Sequence, residues 1–133
     1  MNRKFLVLLM VILVWALTAC GSSGPSTRIS FTMTDFAFNP NEFTVPAGED
    51  ITLNVTHNGT MEHNFIIIKY ATDAGETFDE EDKANVFWEV ALQPGDSETI
   101  IFTAPEQPGT YQVICGMPGH PQSGMIGKLI VTE

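Results

Sequence analysis

Apolar residues from residue 29 onward either alternate with polar ones or form short runs, which is the pattern of β-strands. Ile51, Leu53 and Val55 alternate with polar neighbours, so one face of this strand is predicted to be buried. Residues 65–68 are all apolar, as expected of a central strand. Further strands, separated by glycine- and proline-rich turns, are predicted over residues 97–103, 110–115 and 126–132. This succession of short strands predicts one all-β domain over residues 29–133, a Greek-key β-sandwich.

One short helical insertion is predicted inside the acidic segment that follows residue 71. Thr77-Phe78-Asp79-Glu80 fits a capping box, and its acidic residues suit the positive end of a helix dipole. Ala84, Phe87 and Ala91 then recur at helical spacing. The pattern therefore predicts a helix that begins near residue 77 and whose acidic start faces solvent.

Two other residues are predicted to be structural. Tyr111 follows a Pro-Gly turn and shares a strand face with Val113, which is typical of the tyrosine corner of Greek-key sandwiches. His57 precedes the turn predicted at Asn58-Gly59, and we expect its side chain to point away from the loop near the C-terminus.

The first 19 residues are typical of a targeting segment. Arg3 and Lys4 give a positive start, and the apolar stretch over residues 5–17 is too short to span a bilayer comfortably. Leu17-Thr18-Ala19-Cys20 resembles the bacterial lipoprotein signal, in which the cysteine becomes the lipid-modified first residue. The alternative is an ordinary secretory signal with a chance cysteine. We predict a signal peptide over residues 1–19, then lipidated Cys20 and a flexible Gly/Ser linker that ends at residue 28.

The chain is strongly acidic, with 16 Asp and Glu against 6 Lys and Arg and a formal net charge of −10. Loss of residues 1–19 would remove two basic residues and no acidic one, so the mature domain would be more acidic still. This sign of charge disfavours nucleic-acid binding. It either keeps the protein soluble or steers it towards a basic partner, for instance a c-type cytochrome.

A Gly/Pro-rich loop near the C-terminus contains Cys115, His120 and Met125, and His63 lies far upstream at the start of an apolar run. Two imidazoles and a thiolate with a weak thioether ligand describe an electron-transfer copper site. Zinc prefers four strong ligands and rarely accepts methionine, so the methionine favours copper. Taken singly, each residue has a structural alternative: a buried thiol, a solvated loop histidine, a core methionine. The joint pattern favours a metal site.

The cysteine count supports this interpretation. The chain has two cysteines, Cys20 and Cys115, and lipidation of Cys20 would leave Cys115 without a disulfide partner. Metal ligation gives a lone exported thiol a use and shields it from oxidation. A dinuclear copper centre would need a second cysteine in the loop.

These motifs resemble those of the cupredoxins, the small blue copper proteins, and among them the auracyanin and azurin branches. The matching features are the Cys-x4-His-x4-Met loop, His63-Asn64-Phe65 and the strand over residues 108–115. The resemblance implies His63, Cys115, His120 and Met125 as ligands of one copper ion that cycles between Cu(I) and Cu(II). It also implies that Asn64 holds the ligand loop near the sulfur. Residues 71–91 match no pattern of the family.

The predicted function is a mononuclear blue copper electron carrier, held by its lipid on the outer, extracytoplasmic side of a membrane. We expect a monomer that exchanges single electrons with redox proteins, such as a c-type cytochrome or a membrane oxidoreductase. An apolar collar around His120 is predicted to form the docking contact or to exclude water; its members are Met61, Met117, Pro118 and Pro121. The alternative function is a copper-binding chaperone or storage lipoprotein. An oxidase or reductase ranks last, because four ligands leave no open coordination position.

Overall fold

The computed structural model describes residues 24–133, and these form nine β-strands and one 3-10 helix. The predicted signal peptide, Cys20 and the start of the linker lie outside the described residues. Within the described part, no helix is long and apolar enough to cross a bilayer. The elements, in chain order, are β1 (Arg28–Thr34), β2 (Ala37–Asn39), β3 (Glu42–Pro46), β4 (Asp50–His57), β5 (His63–Ile68), the 3-10 helix (Asp82–Asn85), β6 (Val86–Leu92), β7 (Ser97–Thr103), β8 (Gly109–Ile114) and β9 (Ile126–Thr132).

The strands form two sheets. One has four strands in the order β2-β1-β4-β7, and the other has five in the order β3-β9-β8-β5-β6. The pairs β1/β4 and β3/β9 are parallel, whereas β5 is antiparallel to both of its neighbours, β6 and β8. Alternating apolar residues from the inner faces of the two sheets pack into one core, as in other sandwiches. The predicted all-β Greek-key sandwich is confirmed.

Aromatic packing fixes the strand that carries His63. Phe65, two residues further along β5, is fully buried, and three other rings surround it. Phe31, Phe38 and Phe43 lie with their ring centroids 4.8, 5.3 and 5.6 Å from that of Phe65. Such aromatic pairs add about 0.5–1.5 kcal/mol each beyond the burial of their area. The beginning of β5 is therefore held by residues from both sheets.

Strand β5 is also covered on its outer face, away from the main core. Ile66 and Ile68 are fully buried there, and they form a second, smaller apolar cluster with Ile114 of β8. Partly buried side chains close over this cluster; they are Ala74, Phe78, Val86 and Ile126. Burial on both faces accounts for the uninterrupted apolar sequence of this central strand.

The predicted helix is much shorter than its sequence pattern indicated. Only Asp82–Asn85 are helical, as a single 3-10 turn without a side-chain cap. Phe87 and Ala91 lie instead on β6, where they face outward. Residues 86–90 contain four β-branched or aromatic residues that suit a strand, and pairing with β5 supplies the hydrogen bonds that a helix would otherwise make.

The predicted capping box does not form. The Asp79 amide donates to Asp82 Oδ2 at 2.9 Å, and the Glu81 amide donates to Asp79 Oδ1 at 2.9 Å. Aspartate side chains thus hold a series of local turns, which is a common alternative to helix in acidic segments. The acidic residues of this segment stabilise turns and do not begin a longer helix.

The tyrosine corner is present as predicted. The Tyr111 hydroxyl donates to the backbone carbonyl of Gln107 at 2.6 Å, four residues upstream. The ring itself is buried at the edge of the core. This bond ties the connection that enters β8 to the strand itself, and so fixes the start of the strand that ends at Cys115.

Candidate metal centre

Two neighbouring strands and one loop bring the predicted ligands together. His63 is the first residue of β5, and Cys115 directly follows the last residue of β8. Ile66 of β5 is opposite Ile114 of β8 in the antiparallel ladder, so Cys115 emerges beside the start of β5. His120 and Met125 lie on the connection from β8 to β9, over residues 115–125, which we call the ligand loop.

Three of the predicted ligands present their donor atoms to one another. The Nδ1 atoms of His63 and His120 are 3.0 Å apart, and Cys115 Sγ lies 3.9 Å from the first and 3.5 Å from the second. All three donor atoms lie within 4.8 Å of one another, and no other group of three or more His, Cys, Asp or Glu residues is so arranged in residues 24–133. His63 and Cys115 are fully buried, and His120 is 7% exposed.

This donor set suits a borderline-soft metal ion. Two imidazole nitrogens and one sulfur at these separations are compatible with bonds of about 2.0–2.3 Å to a shared ion. Two buried Nδ1 atoms only 3.0 Å apart cannot both carry a proton, so at least one offers a lone pair into the space between them. The residues present therefore fit a metal held by nitrogen and sulfur.

Met125 is held close to the other candidate ligands by its backbone. Its amide donates to the carbonyl of His120 at 3.1 Å, and its carbonyl accepts a hydrogen bond from the amide of Cys115, also at 3.1 Å. The side chain is fully buried in the main core, in the same apolar cluster as Cys115. The backbone of Met125 is thus hydrogen-bonded to both of the other candidate ligands in the loop, Cys115 and His120.

The ligand loop is folded by its own short-range hydrogen bonds. The His120 amide donates to the Met117 carbonyl at 3.1 Å, and the Ser123 amide donates to the His120 carbonyl at the same distance. Gly119 and Gly124 have φ of +84° and +104°, which a residue with a Cβ adopts only with strain. The Gly/Pro-rich composition is therefore what lets the chain turn tightly enough to return Met125 to Cys115.

Asn64 is hydrogen-bonded to the ligand loop. Its side-chain oxygen accepts a hydrogen bond from the Gly116 amide at 2.6 Å, which joins the start of β5 to the residue after Cys115. Burial raises the pKa of the Cys115 thiol, and hydrogen bonds from the backbone amides of Asn64 and Met117 oppose that shift. These amides favour the thiolate, but the effect of burial on the pKa is larger.

Burial also acts on His63. It lowers the pKa of this imidazole, and a hydrogen bond to Asp35 opposes the shift. The lowered pKa favours the neutral ring at pH 7, which is the form that binds metal ions. His63 is therefore ready to act as a ligand without first losing a proton.

Sequence reasoning missed Asp35, which lies in the turn between β1 and β2. Its Oδ1 is 3.3 Å from His63 Nε2, the ring nitrogen that faces away from Cys115. Hydrogen bonds from the side chain and the backbone of Thr60 lower the pKa of Asp35 to about 2, so the group is a carboxylate at neutral pH. No local pattern connects residue 35 with residue 63, since only the packing of the two sheets brings them together.

The expectation that His57 points away from the site is wrong. Its ring stacks on that of His63 with centroids 4.8 Å apart and planes 17° apart. The prediction assumed that residues 58–62 form a hairpin, but they cross from the four-stranded to the five-stranded sheet, so both histidines lie at the same end of the sandwich. His57 Nδ1 accepts a hydrogen bond from the Gly59 amide at 3.1 Å, and His57 is not part of the donor cluster.

The residues of the collar predicted around His120 differ in exposure. Met61 is 40% exposed, Pro118 is exposed and Met117 is half-buried, whereas Pro121 is buried. Phe36 was missed: its ring meets the edge of the His120 ring at a centroid distance of 5.2 Å and is 38% exposed. Phe36 thus places a partly exposed apolar ring beside His120, the one of the three donor residues that reaches solvent.

Comparison with known proteins agrees with this geometry. Residues 6–131 match the family model of the cupredoxin-like domain. Auracyanin-A of Chloroflexus aurantiacus is 30% identical over 97% of this chain and 96% of its own. The structure of dithionite-reduced auracyanin from Roseiflexus castenholzii aligns with a TM-score of 0.71 and 36% identity, covering 83% of this chain and all of that one. Auracyanin A from Chloroflexus aurantiacus, described as a blue copper protein, aligns with a TM-score of 0.62 and 31% identity over 82% of this chain and all of its own.

Proposed function

Because this chain belongs to the cupredoxin family, we propose that it is a mononuclear blue copper protein that carries single electrons. His63 and His120 would hold the ion through imidazole nitrogens and Cys115 through its thiolate, with the thioether of Met125 as a weaker fourth ligand. Bound copper would supply the one-electron Cu(I)/Cu(II) couple. The protein's own contribution is to bury the donors, orient them and exclude water.

The observation that carries this proposal is the convergence of three donor atoms within 4.8 Å, at residues that are 0–7% exposed. Two strands of one sheet and a loop closed by its own hydrogen bonds hold these donors. A rigid site of this kind changes little when the charge of the ion changes, and rapid electron exchange depends on such small rearrangement. The geometry therefore favours a carrier.

A chaperone or storage role fits less well. A protein that hands its ion to another protein needs donors that the recipient can reach. His63 and Cys115 are fully buried, and the edge of His120 is the one part of the three donors that meets solvent. We also propose that the protein is not an enzyme, because a four-ligand set leaves no coordination position for a substrate.

We propose that electrons enter and leave through His120. Phe36, which lies beside His120, and the predicted collar residues Met61, Met117 and Pro118 would form a small, dry contact with a redox partner. The formal net charge of −10 would steer a basic partner, such as a c-type cytochrome, towards the protein. Since electron-transfer complexes bury little surface and are short-lived, a small contact is sufficient.

We further propose that the protein is extracytoplasmic and attached to its membrane by lipid on Cys20. This proposal rests on the sequence of residues 1–20, and the domain itself begins its first strand at Arg28. Metabolic labelling with a radioactive fatty acid should mark the wild-type chain but not Cys20→Ala. Equal labelling of both chains would contradict the lipid assignment.

The function itself is tested by titrating the purified chain with Cu(II) while recording optical and electron spin resonance spectra. We expect one copper per chain, an intense visible band from the thiolate bond, and a reversible one-electron couple. Weak, colourless binding, or copper that escapes readily to a chelator, would contradict the carrier function and favour storage or delivery.

A further inference from the structure

A carboxylate lies behind His63, on the opposite side of the ring from Cys115. The imidazole presents Nδ1 to the donor cluster and Nε2 to Asp35 Oδ1, at 3.3 Å. Resting on the proposed copper function, we infer that Asp35 is a positioning residue that fixes the tautomer and orientation of His63 and lowers the reduction potential of the site.

Asp35 is itself held firmly in place. The Thr60 amide donates to its Oδ1 at 2.8 Å, and the Thr60 hydroxyl donates to its Oδ2 at 2.7 Å. Its side chain is 31% exposed, whereas that of His63 is fully buried. Both carboxylate oxygens have fixed donors, so the group cannot turn away from His63 without losing two hydrogen bonds.

Gly59 shows how closely the chain packs around this carboxylate. A Cβ at this position would lie 2.5 Å from Asp35 Oδ1 and 3.0 Å from His57 Cε1. A residue with a side chain would therefore push the turn at residues 59–60 away from Asp35. The absence of a side chain lets the Thr60 amide reach the carboxylate that faces His63.

The contact determines which nitrogen of His63 carries the proton. An ionised carboxylate can only accept hydrogen bonds, so Nε2 must be the protonated nitrogen of the neutral ring. Nδ1 then presents a lone pair towards Cys115 and His120. The ring of His57, stacked on the face of His63, opposes rotation of the imidazole out of this position. Asp35 at the edge of the His63 ring and His57 at its face thus hold the imidazole in the ligating orientation without a bound ion.

A carboxylate partner also changes the strength of the ligand. It makes the imidazole a better electron donor and adds a negative charge near the site. Both effects stabilise Cu(II), the more highly charged ion, more than Cu(I). The resulting direction is a lower reduction potential than the same site would have with an uncharged partner for His63.

The test compares Asp35→Ala, Asp35→Asn and the control Asp50→Asn in the full chain loaded with copper. Asp50 accepts a hydrogen bond from the Thr103 hydroxyl at 2.8 Å. It lies seven residues before His57 on the same strand, about 23 Å away. The control removes the same charge without touching His63.

We expect Asp35→Ala to weaken Cu(II) binding about 10- to 100-fold, which is typical when the partner of a ligating histidine is lost. Binding of Cu(I) should weaken less, and each tenfold difference between the two raises the potential by about 59 mV. Asp35→Asn, which can still accept a hydrogen bond, should show a smaller rise, and Asp50→Asn should leave the potential unchanged. Equal potentials in Asp35→Ala and Asp50→Asn would overturn the inference.

A second measurement needs no copper and keeps the inference testable if the variants fold poorly or the copper function fails. Nitrogen-15 resonances of the histidines in the metal-free wild-type chain should show His63 protonated at Nε2. Protonation at Nδ1 instead would overturn the role of Asp35. A wild-type chain without a coloured copper site, but with His63 protonated at Nε2, would contradict the copper function and support the positioning role.

Discussion

The ligand loop and the connection from β5 to β6 join neighbouring strands of the same sheet, but they are held in different ways. The ligand loop forms its own turns and buries its donors. Residues 69–85, which we call the outer cover, are instead attached to the sheet by a strand side chain, because Gln112 of β8 bonds to Ala74 and Gly75. The bond from Lys69 to the Ala84 carbonyl joins the two ends of the cover itself. Metal chemistry dictates the residues of the first segment, whereas the second has only to cover an apolar face.

The two segments meet at Gly116. A Cβ on this residue would lie 2.8 Å from Phe78 Cδ1 and 2.9 Å from Ile66 Cδ1. Phe78 of the cover thus packs against Gly116, the residue directly after Cys115, on the opposite side from the donor cluster. Mutations in the cover can therefore show whether it affects the metal site or only the stability of the domain.

The largest expected effect concerns the ligand loop alone. Cys115→Ser removes the thiolate with little change in volume, so we expect the intense colour of the Cu(II) protein to disappear while the domain stays folded. Absorbance of the copper-loaded protein and far-ultraviolet circular dichroism measure the two properties. Full colour in this variant would exclude Cys115 as a ligand.

Bound copper should stabilise the ligand loop more than the outer cover, and removal of copper should reverse this difference. With free copper at about 1,000 times its Kd, binding to the native state adds about 4 kcal/mol to the free energy of unfolding. Hydrogen exchange should show that the added protection is largest in the ligand loop, because its residues bind the ion. Equal added protection in the outer cover would contradict this separation.

Loss of the central side chain of the cover should affect stability but not colour. Phe78→Ala opens the cluster over Ile66, Ile68 and Ile114, and we expect a loss of about 2–3 kcal/mol in the free energy of unfolding, since the ring is only partly buried. Phe87→Ala, at a ring that is 40% exposed, is the matched control and should cost less. Denaturant unfolding of both variants checks this, and equal losses would show that Phe78 contributes no more to stability than the exposed ring of Phe87.

The same contrast explains what could be predicted from the sequence. The strands of the sandwich follow from alternation and turn residues, and the candidate ligand loop follows from the few residue types that suit copper at fixed spacing. Asp35 and the stacking of His57 could not be predicted, because each depends on how one sheet lies on the other. In the cover, Ala84, Phe87 and Ala91 match helical spacing by coincidence, and the pairing of β6 with β5 overrides it.

The smallest expected effects come from two side-chain amides, each of which ties one segment to the sheet. Asn64 accepts a hydrogen bond from the Gly116 amide of the ligand loop at 2.6 Å. Gln112 accepts one from the Ala74 amide and donates one to the Gly75 carbonyl of the cover, both at 2.8 Å. Asn64→Ala and Gln112→Ala should each cost about 1–2 kcal/mol of stability, the usual worth of one or two such bonds.

Only the first of these substitutions should change the reduction potential. Hydrogen bonds from the Asn64 and Met117 amides to the Cys115 sulfur withdraw electron density from a thiolate and favour Cu(I). Without its anchor at Gly116 the loop would loosen, the Met117 bond would weaken, and the potential would fall. The side-chain hydrogen bonds of Gln112 go to the cover, so Gln112→Ala should leave the potential and the spectrum unchanged. A similar fall in both variants would mean that pressure from the cover through Phe78 and Gly116 reaches the sulfur, and that the two segments act as one unit.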